Sequence, residues 1–391
     1  MINKLCYFLN IASKTKLFKK LILFTVFSFT QTYNYTANLI TIDLTKLPEK
    51  GNNINISDFA SEITYLPLET NKEFFIDKNA KFYLFDSIIV CCGHHQIFLF
   101  NSNDGSFIRS IGEYGRGPDG FINSRSCYLK KDEIIINAYG WQYPLIEYSI
   151  NGKIQNKIKM DNYTRNIFWL KDNLYVGYYE KNSYSDSLRL QIYDNKNERI
   201  ISSFYDKRKF KDTNRFTFYR TSFYRFKDDL FIKECFNDTV FRVTAEKLIP
   251  KIIFKSGRFS PPFYKKDIIN LSEYYYIHSI LETGNLIFFQ LNYNKITYSC
   301  YFDKGKNKVQ ISNDKDSKIN GFNNDIDGFM QFYPLTISNN NELIGFLESY
   351  KIKQWFYANT DKVNKLPSYI QNLKKIKETD NPVLMLVKLK D

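Results

Sequence analysis

The chain has 391 residues, of which 43% are hydrophobic, 25% charged and 17% aromatic. Thirty Tyr and 35 Phe against 10 Pro and 16 Gly exclude a disordered, collagen-like or low-complexity protein, and a chain this long buries a core without disulfides or metals. The formal charge of +14 is interspersed with acids, without the basic stripe of a nucleic-acid-binding helix, so no nucleic-acid partner is expected.

The first segment reads as an address. Lys16-Leu17-Phe18-Lys19-Lys20 precedes Leu21–Thr30, a positive region followed by an apolar run of about ten residues, short for a membrane span and suited to a secretory leader. Residues 1–37 are therefore expected to be a signal or targeting segment, and 38–391 the folded domain. An uncleaved anchor or a buried N-terminal helix is the alternative, and the only expected membrane contact. Removing the leader's five lysines leaves 50 basic against 41 acidic side chains, about +9. No cysteine follows the apolar run to carry a lipid. Beyond Cys6 stand Cys91, Cys92, Cys127, Cys235 and Cys300, an odd set without framework spacing. Buried free thiols are expected, with a bridge of the Cys127–Cys235 kind left open.

From residue 85 onward a unit recurs: polar turn, apolar strand, short loop, second strand, Asn/Asp/Gly turn, third strand. Asp86-Ser87-Ile88-Ile89-Val90, Gln96–Phe100, Asn103-Asp104-Gly105 and Phe107–Ile111 form the first copy. Lys131–Ile136, Pro144–Tyr148, Ile150-Asn151-Gly152 and Ile154–Ile158 form the second; Lys171–Val176, Leu188–Tyr193 and Asp194-Asn195-Lys196 begin the third. Weaker copies start at Lys227-Asp228-Asp229-Leu230, Thr283-Gly284-Asn285-Leu286 and Asn340-Asn341-Glu342-Leu343. The six anchors lie roughly 40 to 57 residues apart, the period of propeller blades. The predicted fold is all-β: one six-bladed β-propeller with short helical insertions near the C-terminus. Pro262–Tyr275 and Ser368–Lys377 read as helical, the second placing Ile370, Leu373 and Ile376 at helical spacing with lysines on other faces. Pro382–Leu389 reads as a last strand, placed to pair with Ile63–Leu68 and close the ring from both termini.

Further motifs are Tyr65-Leu66-Pro67-Leu68-Glu69-Thr70, Ile111-Gly112-Glu113-Tyr114-Gly115-Arg116-Gly117-Pro118-Asp119-Gly120-Phe121, Phe236–Val243, Asn324-Asp325-Ile326-Asp327-Gly328-Phe329 and Asp380–Leu384. In this order they resemble the bacterial extracytoplasmic six-bladed β-propellers related to NHL-repeat proteins. That resemblance implies the fold and an extracytoplasmic location, periplasmic, cell-surface or secreted; it implies no general activity.

The chemistry-bearing patterns are sparse. Gly112-x-x-Gly115-x-Gly117 lacks Walker spacing and a following helix, and reads as an inter-blade turn. His94, His95 and His278 form no metal-ligand spacing, and Asn324–Gly328 falls short of a calcium loop, so no metal and no cofactor are expected. Neither Gly-x-Ser-x-Gly nor a triad is present. Loops on a rigid propeller carry function, and Arg116, Arg125, Trp141, Tyr143, Asp325, Asp327 and Tyr333 are the candidate ligand-binding residues, with Tyr178 and Tyr179 as further loop aromatics. Each is also explicable as blade packing. The expected function is a monomeric, exported binding or scaffolding propeller that recognises a glycan, peptide or protein on its loop face. The competing expectation is a lyase or hydrolase with carboxylates assembled at the axis from several blades.

Overall fold

Two strands from the N-terminal region, β1 (Ile40–Asp43) and β2 (Ala60–Pro67), join sheets formed by later parts of the chain. The computed structural model describes residues 39–46, 53–71, 74–160, 166–179, 188–205, 221–234, 237–260, 271–313 and 319–390. The leader and the basic part of the Pro262–Tyr275 stretch lie outside these residues.

Six sheets follow. Blade 1 is β3 (Lys81–Phe85), β4 (Ile88–Cys92), β5 (Ile97–Asn101) and β6 (Phe107–Ser110). Blade 2 is β7 (Phe121–Lys130), β8 (Glu133–Gly140), β9 (Leu145–Ser149) and β10 (Ile154–Ile158). Blade 3 is β11 (Asn166–Lys171), β12 (Leu174–Tyr178), β13 (Leu188–Asp194) and β14 (Arg199–Tyr205). Blade 4 is β15 (Ser222–Phe226), β16 (Asp229–Lys233), β17 (Thr239–Val243) and β18 (Leu248–Lys255), with β1 added in parallel to β18. Blade 5 is β19 (Tyr276–Glu282), β20 (Leu286–Tyr293), β21 (Ile296–Asp303) and β22 (Lys308–Ile311), with β23 (Ile319–Asn320) beside β21. Blade 6 is β24 (Thr336–Ile337), β25 (Glu342–Leu347) and β26 (Val383–Leu389), completed by β2.

The ring closes between the two ends of the chain. Ile63 pairs with Val387, Tyr65 with Met385 and Leu66 with Leu384 in an antiparallel ladder. A blade left open would expose unpaired backbone; this ladder covers the edge of β26 with a strand more than 300 residues away in sequence. The N-terminal segment does more than close blade 6. From β1 on blade 4 it passes blade 5, where the Ile56 amide donates to the Asn323 carbonyl (2.8 Å) and Ile54, Ile56 and Phe59 join a core with Phe288, Tyr301 and Phe322. It then enters blade 6 as β2.

Turn chemistry explains the hairpins. Lys131-Asp132 and Asn294-Lys295 both take positive φ, the two-residue geometry that matches the twist of paired strands. Gly105, in the last hairpin of blade 1, has φ +74° and lies under the Pro67 carbonyl, where a Cβ would come within 2.1 Å of the oxygen. Only glycine fits there. The cores are layers between blades: Val90, Cys92, Leu99, Phe121, Ile136 and Tyr148 fill the gap between blades 1 and 2. Cys91, Cys92, Cys127 and Cys300 are buried free thiols, and burial pushes Cys92 up to about 12. Cys235 lies outside the described residues.

The helical insertion sits between β25 and β26: α1 (Ser349–Ala358), α2 (Thr360–Val363) and α3 (Ser368–Asn372), the last running into a 3-10 turn at Leu373–Lys375. Its apolar stripe, Ile352, Phe356, Val363, Leu366, Ile370 and Leu373, is buried on the blade 6 core.

Candidate functional site

Antiparallel strands alternate direction, so the connections of a blade alternate between two faces. First-to-second and third-to-fourth connections lie on the lower face. Second-to-third connections and those between blades lie on the upper face. By this rule 93–96, 111–120, 141–144, 321–335 and the helical insertion all belong to the upper face.

Three of these connections meet at the junction of blades 1 and 2. The inter-blade loop is held by its own backbone: the Gly115 amide donates to Phe121 O (2.9 Å), the Phe121 amide to Glu113 O (2.9 Å), and the Tyr148 hydroxyl to Asp119 O (2.6 Å). A Cβ on Gly120 would stand 2.7 Å from the Gly115 carbonyl oxygen, so the glycines serve a tight backbone crossing. The loop holds Tyr114 and Arg116 outward. The Arg116 guanidinium lies 4.4 Å over the Trp141 ring, and the Lys157 ammonium 5.1 Å over the Tyr143 ring while pairing with Asp119. The His95 ring contacts Tyr114 at 4.2 Å and His94 at 4.4 Å. Tyr114 and Trp141 are each 56% exposed. Large aromatic rings held open to solvent by cations and a fixed loop form a patch of ready-made stacking surface.

The other candidates sit elsewhere. Asp325 accepts from the Ser57 amide (3.0 Å) and the Ser57 hydroxyl, tying the N-terminal strap to the loop between blades 5 and 6. Asp327 is half-buried and accepts from the Tyr65 hydroxyl (3.0 Å), the Asn324 amide (2.6 Å) and the Phe329 amide (3.0 Å). Desolvation raises the Asp327 pKa against those hydrogen bonds. The Asp327 amide in turn donates to Asn324 Oδ1 (3.3 Å), and the Phe329 amide bond to Asp327 Oδ1 makes an Asx turn. Tyr333 lies against Gly321 and donates to Gln331 Oε1 (2.8 Å). Tyr178 and Tyr179 are buried, Tyr178 edge-on to Phe223. The Arg125 backbone belongs to β7; its side chain lies outside the described residues. The structure thus brings Arg116, Trp141 and Tyr143 together and gives Asp325, Asp327 and Tyr333 structural partners at another junction. Tyr114, His95 and Lys157 are additions that sequence reasoning missed. They come from separate loops and strands, and only Tyr114, inside the Gly-rich motif, carried a local signal.

A second polar site, unforeseen from sequence, opens on the lower face between blades 2 and 3. A cleft of about 490 Å³ is lined by Lys130, Glu133, Glu147, Asn156, Asp172 and Asn173 among others. At its floor the fully buried Glu147 carboxylate accepts from Tyr128, Tyr175 (3.0 Å), Asn156 (3.1 Å) and Lys130 (3.1 Å). Burial, then the Glu147 charge, pushes both phenols far up. Tyr128 and Trp169 stack at 5.4 Å, and the Arg225 guanidinium lies 4.7 Å over Trp169. These three side chains come from the first strands of three consecutive blades, at their lower ends. No group of three or more His, Cys, Asp or Glu side chains placed to hold a metal occurs among the described residues.

One solved structure is similar over nearly the whole fold. The crystal structure of a "Putative exported protein (BF0058)" from Bacteroides fragilis NCTC 9343 is similar with TM-score 0.69 at 17% identity, over 90% of this chain and 100% of that one. A looser likeness, TM-score 0.37 at 11% identity, is to the extracellular domain of BT4673 from B. thetaiotaomicron, over 72% of this chain and 32% of that one. No curated protein matches the sequence. Residues 39–388 match the family described as "Domain of unknown function (DUF4934)", and the chain belongs to that family.

Proposed function

We propose that this protein is an exported, non-catalytic binding propeller that recognises a glycan, peptide or protein partner on its upper face. The observation that carries the reading is the patch at the junction of blades 1 and 2, where Tyr114 and Trp141 stand exposed beside Arg116, His95 and the paired Lys157. Exposed aromatics with an adjacent guanidinium supply stacking area and a directional donor, the pairing enriched where proteins meet ligands.

A lyase or hydrolase reading needs carboxylates converging on the axis. The first strands of the six blades hold one carboxylate, Glu282, which is buried and accepts from Tyr224 (3.1 Å) and Lys304 (2.8 Å). An exported location is supported by the basic segment and apolar run at residues 16–30, and by the name of the B. fragilis protein of similar fold. No described helix is long and apolar enough to cross a membrane.

The test is a polysaccharide and peptide array probed with the wild type and with Trp141→Ala. Ligands held by the wild type are expected to bind about tenfold more weakly to the variant, with no product released on long incubation. Unchanged binding in the variant, or turnover of a bound ligand, refutes the reading.

A further inference from the structure

The helical insertion carries a basic and aromatic surface on the upper face. Residues 348–382 hold seven lysines against four carboxylates, Glu348, Asp361, Glu378 and Asp380. Lys351 pairs with Glu348, and Lys353 reaches across to the Lys374 carbonyl (3.1 Å), bracing α1 against the turn after α3. Lys362, Lys365, Lys374, Lys375 and Lys377 are exposed, and among the described residues none of them makes an ion pair. The same insertion carries three exposed rings, Tyr350, Tyr357 and Tyr369, with Tyr357 70% exposed. The Lys353 ammonium is 5.9 Å from the Tyr357 ring and the Lys351 ammonium 5.7 Å from the Tyr350 ring. Tyr369 stacks on Tyr65 at 6.3 Å, which fixes one ring to the blade beneath.

We infer that this helical cap is a second contact surface, specific for an acidic polysaccharide of the uronate type. A uronate unit offers a flat C–H face and a carboxylate in one repeat, which matches a tyrosine ring beside an ammonium. The aliphatic residues of the cap do not face out: Ile352, Val363, Leu366, Ile370 and Leu373 are all spent on the core. Lysine, which is depleted where proteins meet proteins, dominates the exposed surface of the cap, and the apolar wedge of a membrane-binding helix is unsupplied. Charge and aromatic platforms are what remain. The inference goes beyond the proposed function, because the cap shares no residue with the Trp141 patch.

Affinity electrophoresis of the full chain in gels containing polygalacturonate tests it. The wild type is expected to be retarded by polygalacturonate, unaffected by dextran or by the fully methyl-esterified polymer, and released by 0.5 M salt as screening predicts. Reversing Lys362, Lys365, Lys374, Lys375 and Lys377 to Glu is expected to weaken binding about 50-fold, and Tyr357→Ala about fivefold. Each variant is melted first. Should the fivefold reversal fail to fold, Lys374→Gln with Lys375→Gln takes its place, with a loss of about fivefold expected. Absence of retardation, or binding insensitive to the lysine changes, overturns the inference. So does poly-glutamate or an anionic phosphatidylglycerol vesicle binding as tightly with Tyr357→Ala unchanged, which shows a general anion trap. Binding lost in Trp141→Ala but kept in the lysine variants places the ligand on the blade 1–2 patch, overturning this inference while leaving the proposed function standing.

Discussion

Replacing Glu147 with Ala removes the acceptor on which four donors converge. Its carboxylate is fully buried, while Lys130 is partly open to the lower-face cleft. The change leaves the Tyr128 and Tyr175 hydroxyls without that partner and the Lys130 ammonium beside an emptied site, although Lys130 and Asn156 still reach Tyr175 Oη at 2.9 and 3.2 Å. Breaking a buried pair by removing one partner costs about 3–5 kcal/mol. Water entering the adjoining cleft offsets part of this, so a loss of about 3 kcal/mol is expected. At an unfolding entropy of about 2.1 cal/mol/K per residue over roughly 350 folded residues, that loss lowers Tm by about 4 °C. Urea unfolding and calorimetry of wild type, Glu147→Ala, Lys130→Met and the double variant measure it. The double variant is expected to recover about 1 kcal/mol relative to additivity, because the uncompensated ammonium is gone. A Glu147→Ala loss under about 0.5 kcal/mol, within the range of ordinary surface substitutions, refutes the claim that this carboxylate ties blade 2 to blade 3.

Three further outcomes follow from the geometry. Gly105→Ala, forced to hold φ +74° with its Cβ 2.1 Å from the Pro67 oxygen, is expected to cost about 3 kcal/mol in denaturant unfolding. Burial of His278, with the Lys233 charge adding to it, depresses the imidazole pKa below its ordinary 6.5. The unfolded chain therefore takes up a proton near pH 6.5 that the native state refuses, so stability is complete above that pH and declines as pH falls toward the folded pKa. Melting from pH 7.5 to 5 should show a wild-type decline that His278→Gln lessens. Deleting residues 380–391 removes β26, paired on one side with β25 and on the other with β2. Cooperative unfolding is expected to disappear, and an unchanged melt would show that the ring does not close through this strand.

The repeats in the sequence pointed at one strand of each blade in particular. The apolar runs beginning at Ile88, Ile134, Leu174, Leu230, Leu286 and Leu343 are all second strands, because a tight polar hairpin precedes each and marks its start. First strands lack that marker. They follow the longer inter-blade connections, and β7 carries Asn123, Ser124 and Ser126 with register shifts that break its alternation. The pairing of β2 with β26 was legible from two apolar runs left over at the ends, whereas β1 is four residues long and owes its place to β18. Helix α1 is masked in the sequence although Ile352, Trp355 and Phe356 stand at helical spacing, since the run adjoins a strand. At the candidate site, Arg116 and Trp141 lie in separate sequence segments and meet in space. The carboxylates of Asp325 and Asp327 are taken up by Ser57 and Tyr65, which lie some 260 residues away and whose approach only the closed ring creates.

The central claim is that the upper face at the junction of blades 1 and 2 receives the ligand. Amide hydrogen exchange of the full chain, with and without the tightest array ligand, tests it most directly. The account predicts added protection in residues 93–96, 111–121 and 140–145, and none in the lower-face hairpins around Lys131 and Asp172. Protection concentrated at those hairpins and the cleft above Glu147, with the upper loops unchanged, would contradict it.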